Sequence, residues 1–393
     1  MQRDFAEVQK KKVLLVGMFD SIHFARWIAQ FKGGNIQFSI YPSSKFRKIH
    51  PSLEEVLKFK DLCTIEITFL NRFVPKALLG YLDFILFYAS SLVFRKLNLR
   101  ARLLSRSLKK SGFSFVHLLE FQHAGYLYLD AELSSRPEKD YKLIATNWGS
   151  DIFFFQDDVS HRTRIHRLLQ QADLYSAECE RDYKLARDMG YEGEFLPCIP
   201  NAGGYKENQF ILPLPSERDL IICKAYGGQF GRGDLLIEVL EEFLIDFPNA
   251  PVFLYSVTDD LLDGLSKLTS KFPNVRFSDQ NHKLSHPALL EKFRSAQIYI
   301  GLSRSDGIST SFLEALNSGT YPIQSNTSCA QEWVKKGAVA SIVSLQKREI
   351  LHELKGAYNN FQKLTVAQRE NLFVARKYLN YEEIARVGRD FYS

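Results

Sequence analysis

The chain lacks most of the signatures that would announce a metal, redox or nucleotide-hydrolysing protein. Of its 393 residues only five are cysteine: Cys63, Cys179, Cys198, Cys223 and Cys329. None forms a C-x-x-C pair, which argues against zinc, and an odd, scattered set suits reduced thiols better than a disulfide framework. There is no G-x-G-x-x-G. The first strand-like run ends in "GMFDSI", and the end of the second, "IYPSS", offers no acid for a ribose, so a nicotinamide dinucleotide site is not expected. The glycine-rich "GGQFGRG" lacks the Gly-Lys-Ser/Thr ending of a P-loop, which argues against a nucleoside triphosphatase. No internal repeat and no low-complexity tract is present. The N-terminus, "MQRDFAEVQKKKVLLVGMFD", lacks a signal-peptide pattern, and its short apolar run reads as a first strand. The expected setting is cytoplasmic.

What is present is the composition of a globular protein with sizeable cores: 45% apolar and 24% charged residues. The length is enough for two domains of ordinary size. A net charge of +6 is modest and leans toward anionic partners such as nucleotides, phosphates or acidic lipid. Nucleic acid is not among the expected partners.

One stretch, "ALLGYLDFILFYASSLVF" from Ala77 to Phe94, is close to the roughly 20 apolar residues that span a bilayer. It is followed by "RKLNLRARLLSRSLKK" (Arg95 to Lys110), with seven basic residues and no acid. Asp83 inside the apolar stretch argues against a span. Two readings remain: a buried helix followed by a solvated one, or a peripheral patch (77–110) whose aromatics enter an interface while its basic residues meet anionic lipid.

Along the rest of the chain, strand-like and helix-like patterns alternate, which implies parallel sheets. "KKVLLVGMF", "IQFSIYP", "SFVHLLEF", "KLIATNWGSD", "ADLYSAEC" and "GEFLPCIPNAGG" read as one set of strands. "DLIICKAYGG", "APVFLYSV", "NVRFSD", "AQIYIGLS" and "TYPIQS" read as another, and the tail reads as two helices. Pro197, Pro200, Gly203, Gly204, Pro213 and Pro215 suit a linker. The expected fold class is α/β, with two Rossmann-like domains whose parallel sheets face a ligand. The expected divisions are 1–200 as an acceptor-binding domain, 201–218 as linker, 219–375 as a nucleotide-sugar-binding domain, and 376–393 as a C-terminal helix returning to the first domain.

The stretch with the most chemistry is "SRSDGISTSFLEALNSGTYPIQSN", Ser303 to Asn326. A strand ends, a small-residue loop follows, and a short helix is closed by Gly319. Backbone N–H groups near Gly307, Ser309 and Thr310 would open a helix N-terminus, a natural phosphate site. Glu314, one turn inside, has the position to accept two hydrogen bonds from a ribose diol, and Asp306 that to reach a sugar hydroxyl. Against this, Ser311-x-x-Glu314 also has the spacing of a capping box, and Asp306 that of a solvated turn acid.

The pattern acid-Gly, then Leu-Glu-Ala, then Gly and Pro resembles the E-x7-E motif of retaining glycosyltransferases of family 4, which have the GT-B fold. "AQEWVKKGAVA" resembles the segment that follows it there, and "CKAYGGQFGRGDLLIEVL" resembles the strand–loop–helix that carries two basic residues on the donor diphosphate. "GMFDSIHFARWI" and "ATNWGSDI" resemble motifs of the first domain. The resemblance implies a nucleotide sugar as substrate with no separate cofactor and no metal. It implies that Glu314 binds the ribose, that Asp306 positions the donor sugar, and that Lys224 and Arg232 stabilise the leaving diphosphate. It also implies an acceptor glycan, lipid-linked if 77–110 meets membrane, and retention without a protein nucleophile. Asp306 stands where the family usually has Glu, and Trp148 where it often has His. Ser21, His23, Trp148, Asp151 and His123 are expected on the acceptor side; His117 and Glu120 are either neighbours of that site or core residues. An epimerase of the same fold, a non-catalytic nucleotide-sugar-binding protein and, more weakly, a glycosidase using Asp306 and Glu314 remain open, since fold alone does not separate them.

Overall fold

A computed structural model describes residues 10–46, 48–66, 98–110, 112–135, 139–210, 217–279 and 281–393. The chain divides into two compact units, one of Met1–Gly203 with Ala385–Ser393 and the other of Gly204–Ile384.

In the first unit, β1 (Lys11–Gly17), β2 (Ile36–Pro42), β3 (Cys63–Ile65), β4 (Phe115–Leu119), β5 (Lys142–Thr146), β6 (Leu174–Ser176) and β7 (Glu194–Phe195) form one parallel sheet in the order β3-β2-β1-β4-β5-β6-β7. Val13, Leu14, Leu15 and Val16 are all fully buried. An unbroken apolar run is what a parallel strand needs, because helices cover both faces of its sheet. The order reverses direction between β1 and β4, and the crevice at such a point, outside the carboxyl ends of the strands, is where α/β sheets bind ligands.

The second unit repeats the logic. Strands β8 (Leu220–Lys224), β9 (Val252–Val257), β10 (Val275–Asp279), β11 (Ala296–Gly301), β12 (Tyr321–Ser325) and β13 (Ser341–Val343) form a parallel sheet in the order β10-β9-β8-β11-β12-β13, with its reversal between β8 and β11. Helix Gly233–Asp246 turns Leu236, Val239, Leu240, Phe243 and Leu244 into the core with no exposure. Each such burial contributes roughly 1.5–3 kcal/mol, and the 3–4 spacing puts them on one helical face. β3 and β13, three residues each, are too short to show in the sequence pattern.

The apolar stretch Ala77–Phe94 lies outside the described residues. Among the described helices none is long and apolar enough to cross a membrane. The basic stretch after it forms helix Leu99–Lys110. There Arg102, Arg106 and Lys109 are exposed, but Arg100 is buried. Its Nη1 donates to the carbonyl of Pro42 at 3.0 Å, and its own carbonyl accepts from the Tyr41 hydroxyl at 2.7 Å. Arg100 therefore ties the helix to the end of β2 and is no part of an exposed basic face.

Candidate functional site

In the second unit the two motif segments meet at the sheet reversal. The loop after β8 and the loop after β11 are joined by a bridge between Gly231 and Ser303. The N–H of Arg304 donates to the Phe230 carbonyl at 2.7 Å, and that of Arg232 to the Leu302 carbonyl at 3.3 Å. The β8 loop itself turns back tightly at Gly231, where glycine is required: a Cβ there would sit 1.9 Å from the Tyr226 carbonyl oxygen.

Lys224 is the last residue of β8, its ammonium 4.8 Å from the centre of the Tyr226 ring, a cation–π contact. Arg232 caps helix Gly233–Asp246, and its Nε lies 3.0 Å from Asp234 Oδ1. The Arg232 side chain is 23% exposed, so this cation is held at the helix start by a carboxylate that solvent reaches.

The loop after β11 is fixed at both ends. The N–H of Ser303 donates to Ser325 Oγ at 3.0 Å, and the Gly307 carbonyl accepts from the N–H of Cys329 at 2.7 Å. Helix Thr310–Asn317 then begins with Ser309 as N-cap, whose side chain makes no capping bond to the helix. This corrects the capping-box alternative. Ser311 lies inside the helix, and Glu314 reaches another element: its Oε1 is 2.8 Å from Nε2 of His286, at the start of helix His286–Ser295. Glu314 is only 5% exposed.

Beneath the loop lie tyrosines that feel both acids. Burial pushes the Tyr299 phenol well up, and the charges of Asp306 and Glu314 push the same way. Tyr255, also raised chiefly by burial, feels Glu314, and Tyr226, likewise, feels Asp306. Asp306 and Glu314 thus both act in the same direction on one buried phenol. A cavity of about 210 Å³ opens beside Tyr255, at the carboxyl ends of β9 and β10, lined also by Ser256, Ser278, Asp279, Lys283, Leu284 and Leu289. Ser256 at its rim has a φ of +58°, uncommon for a residue with a side chain.

The acceptor-side residues fall in the first unit. Ser21 caps helix Ile22–Ala29 and accepts from the N–H of His23 at 3.2 Å. The His23 ring meets Trp148 edge-on at 5.9 Å, joining the first turn of helix Ile22–Ala29 to the loop after β5. Asp151 is buried; its Oδ2 accepts from the N–H of Trp148 at 2.8 Å and of Phe121 at 3.0 Å, joining the loops after β5 and β4. Burial and then the nearby Glu120 carboxylate push Asp151 up to about 8, against those two hydrogen bonds. His123 lies half-exposed in a π turn, Phe121–Gly125, and Glu120 caps that turn. Glu120 has φ 77° and ψ 156°, a region essentially reserved for glycine that costs about 1–3 kcal/mol to occupy. His117, by contrast, is a core residue, fully buried and hydrogen-bonded at both ring nitrogens.

Sequence reasoning missed His286 and the tyrosines. His286 sits between Ser285 and Pro287 and reads only as a helix start; nothing in its spacing points 28 residues on to Glu314.

No protein-family model matches the sequence, and no characterised protein sequence matches it closely enough to count as a relative. Solved structures do resemble it along nearly the whole chain. Anabaena HepE, solved in complex with UDP-glucose, is 12% identical, with a TM-score of 0.66 over 97% of this chain and 98% of that one. Sucrose-phosphate synthase from Thermosynechococcus elongatus is 13% identical, with a TM-score of 0.68 over 98% of each chain. A glycosyltransferase from Rickettsia africae is 12% identical, with a TM-score of 0.64 over 98% of each chain. At such identities the likeness speaks for architecture, and together with the two reversed parallel sheets it makes the fold GT-B, with two Rossmann-like domains.

Proposed function

We propose that the chain is a glycosyltransferase that moves a sugar from a nucleoside diphosphate donor to a glycan acceptor. The observation that carries this reading is the junction of the loops after β8 and β11. There Lys224, Arg232, Asp306 and the helix start at Ser309 and Thr310 converge at the sheet reversal, with Glu314 buried one turn in. Structures of HepE with UDP-glucose support the substrate class by analogy of fold.

In this reading Glu314 accepts the ribose hydroxyls, and the cavity beside Tyr255 takes the base. The N–H groups around Gly307, Ser309 and Thr310 face the phosphates, where the positive end of the helix favours charge. Asp306 holds a hydroxyl of the donor sugar. As the glycosidic bond breaks, the diphosphate gains negative charge, and Lys224 and Arg232 stabilise it; Arg232 exchanges Asp234 for phosphate oxygens. These side chains supply the positive charge themselves, so the reading calls on no metal. Ser21, His23, Trp148, Asp151 and His123 serve the acceptor in the first unit. We further infer membership of glycosyltransferase family 4, retention of configuration, a uridine or guanosine donor, and a role in cell-surface polysaccharide synthesis in the cytoplasm. A lipid-linked acceptor and peripheral contact with membrane complete the proposal.

The test is thermal unfolding with UDP and GDP, followed by a panel of nucleotide sugars. Binding at 100 times the dissociation constant stabilises the fold by about 2.7 kcal/mol. If neither nucleotide shifts unfolding at millimolar concentration, the donor-site assignment fails.

A further inference from the structure

At the amino ends of its first three strands the first unit holds a cavity that neither the donor nor the acceptor reading uses. It has a volume of about 630 Å³ and is lined by Lys10 before β1, by Lys32 in the turn before β2, and by Lys58, Phe59 and Lys60 in the turn before β3. Phe31, Ile36 and Leu62, all buried, also line it. A parallel sheet brings the amino ends of neighbouring strands to one edge, which is why segments far apart in sequence meet here. Ser21 and His23 follow the other end of β1. That strand has seven residues, and at about 3.3 Å per residue its two ends are separated by roughly 20 Å.

The lining carries four lysines and one acid, Asp61. Each lysine is held differently. Lys10 Nζ donates to the backbone carbonyl of Asp61 at 3.2 Å. Lys58 Nζ lies 2.6 Å from Glu55 Oε1 on helix Pro51–Val56, and both side chains are well exposed. Lys32 Nζ stands 3.8 Å from the centre of the Phe59 ring, a cation–π contact, and Phe59 is 42% exposed. Lys60 is exposed, and among the described residues it takes no hydrogen bond or ion pair.

We propose that this cavity binds a ligand bearing two or more phosphate groups, at a site separate from the transfer reaction. Cations gathered in a concave site repel one another and concentrate counter-ions, because low-dielectric walls focus their field. One carboxylate among four lysines leaves most of that charge uncompensated. The volume lies within the range of small-molecule sites, and an apolar lining with a few convergent polar groups is their usual make-up. Lysine meets phosphate as a point charge that needs no fixed fork geometry. Ammonium groups arriving from three segments can reach oxygens on different sides of such a ligand, whereas a single carboxylate would engage only one or two of them. Lys32 and Lys60 contribute most, since among the described residues neither has a carboxylate to release.

The same chemistry is offered by a free polyphosphate and by a lipid headgroup that carries a phosphate monoester. Phe59 suits either, as a ring that packs on a small ligand or one that enters an interface. Because the lysines are exposed, salt should weaken binding from either source. Occupancy at this edge of the sheet touches no residue assigned to the donor or the acceptor. The inference therefore goes beyond the transfer reaction and does not depend on it, and it is read by binding rather than by turnover.

The experiment uses the full chain carrying Lys224→Ala and Arg232→Ala, so that a diphosphate held by the proposed donor site is not mistaken for one in this cavity. Calorimetric titration with inorganic pyrophosphate at low salt gives the dissociation constant. Lys32→Gln with Lys60→Gln should raise it by at least about 10-fold, since hydrogen bonds to charged groups are lost, and Lys32→Arg with Lys60→Arg should keep it. The same loss of charge placed elsewhere on the first unit, Arg162→Gln with Lys184→Gln, should leave it unchanged. All of these side chains are exposed, so the melting temperatures should stay together. A second arm sediments each protein with phosphatidylcholine vesicles, with and without phosphatidylinositol 4-phosphate. Pyrophosphate binding that depends on Lys32 and Lys60, without vesicle binding, identifies a free ligand. Vesicle binding that depends on the same two lysines identifies a lipid headgroup. No binding in either arm overturns the proposal, as does binding that survives Lys32→Gln with Lys60→Gln or falls equally in the Arg162 and Lys184 variant. Each of these failures leaves the donor reading standing, because UDP and GDP test that reading in the chain that keeps Lys224 and Arg232.

Discussion

His286 Nε2 lies 2.8 Å from Glu314 Oε1, so the carboxylate assigned to the ribose is already engaged by a side chain from another helix. A ribose diol must share Glu314 with this imidazole or displace it. Glu314→Ala should abolish the melting shift produced by UDP or GDP. His286→Ala should keep the shift, because Glu314 remains to accept the diol, but should lower the stability of the free protein. A buried carboxylate that loses its partner costs about 1–3 kcal/mol. Denaturant titrations with and without nucleotide separate the two effects. A nucleotide shift surviving in Glu314→Ala would place the ribose elsewhere.

Arg232 gives a second test through its pairing with Asp234 at 3.0 Å. The pair is partly exposed, and such pairs contribute little to stability, about 0–1 kcal/mol. Arg232→Ala should therefore leave the melting temperature nearly unchanged while lowering kcat by on the order of 100-fold, the usual effect of removing a group that stabilises developing charge. Lys224→Ala should fall in the same direction. EDTA should leave the wild-type rate unchanged. Wild-type turnover in both variants would mean that the diphosphate lies away from the β8 loop.

Much of this architecture is legible in the sequence. β1, β8 and β11 announce themselves because a strand covered on both faces must be apolar at nearly every position, and the glycine-rich and serine-rich loops follow them directly. What is not legible depends on partners distant in sequence or on backbone conformation. Ser311 and Glu314 have the true spacing of a capping box, but the helix starts at Thr310, so Ser311 is already inside it. Glu314 is then released to pair with His286. Glu120 has an ordinary identity and an extraordinary φ, set by the turn it caps. Arg100 belongs by composition to a basic run, yet which side of the helix it occupies is decided by the carbonyl of Pro42.

The burial of Arg100 also sharpens the membrane proposal. Arg102, Arg106 and Lys109 are exposed among the basic residues of this helix whose side chains are described, and each basic residue near an anionic headgroup contributes about 1 kcal/mol. Arg102→Glu with Arg106→Glu should weaken co-sedimentation with phosphatidylserine vesicles, and added salt should weaken it in the wild type. Arg100→Glu should unfold or destabilise the first unit instead, because it buries an unpartnered charge. Equal sedimentation of the wild type and the double variant at low salt would remove this helix from any lipid contact.

Two buried groups in the first unit pull its stability in opposite directions with pH. His117 joins Tyr392 Oη at 2.7 Å through Nδ1 and Thr146 Oγ1 at 2.5 Å through Nε2, and Tyr392 Oη in turn accepts from Trp27 Nε1 at 3.1 Å. With Trp27 donating to Tyr392 and Tyr392 donating to Nδ1, the ring must accept on one side and donate on the other, which only neutral imidazole does. Burial accordingly depresses its pKa to about 3. Between that value and the unfolded 6.5, the unfolded chain binds the extra proton, so stability falls as pH falls. Asp151 is pushed up to about 8 from 3.8, mainly by burial, so over the same window the folded state holds the extra proton and stability falls as pH rises. Each contributes a slope of about 1.4 kcal/mol per pH unit, and between pH 5 and 6.5 the two largely cancel in the wild type. Single variants should expose them. In Asp151→Asn, whose amide oxygen can still accept from Trp148 and Phe121, stability should rise with pH across this window. In His117→Gln it should fall. Urea titrations at pH 5.0, 5.5, 6.0 and 6.5 read both slopes directly, and parallel curves for the wild type and both variants would show that neither group titrates differently on folding.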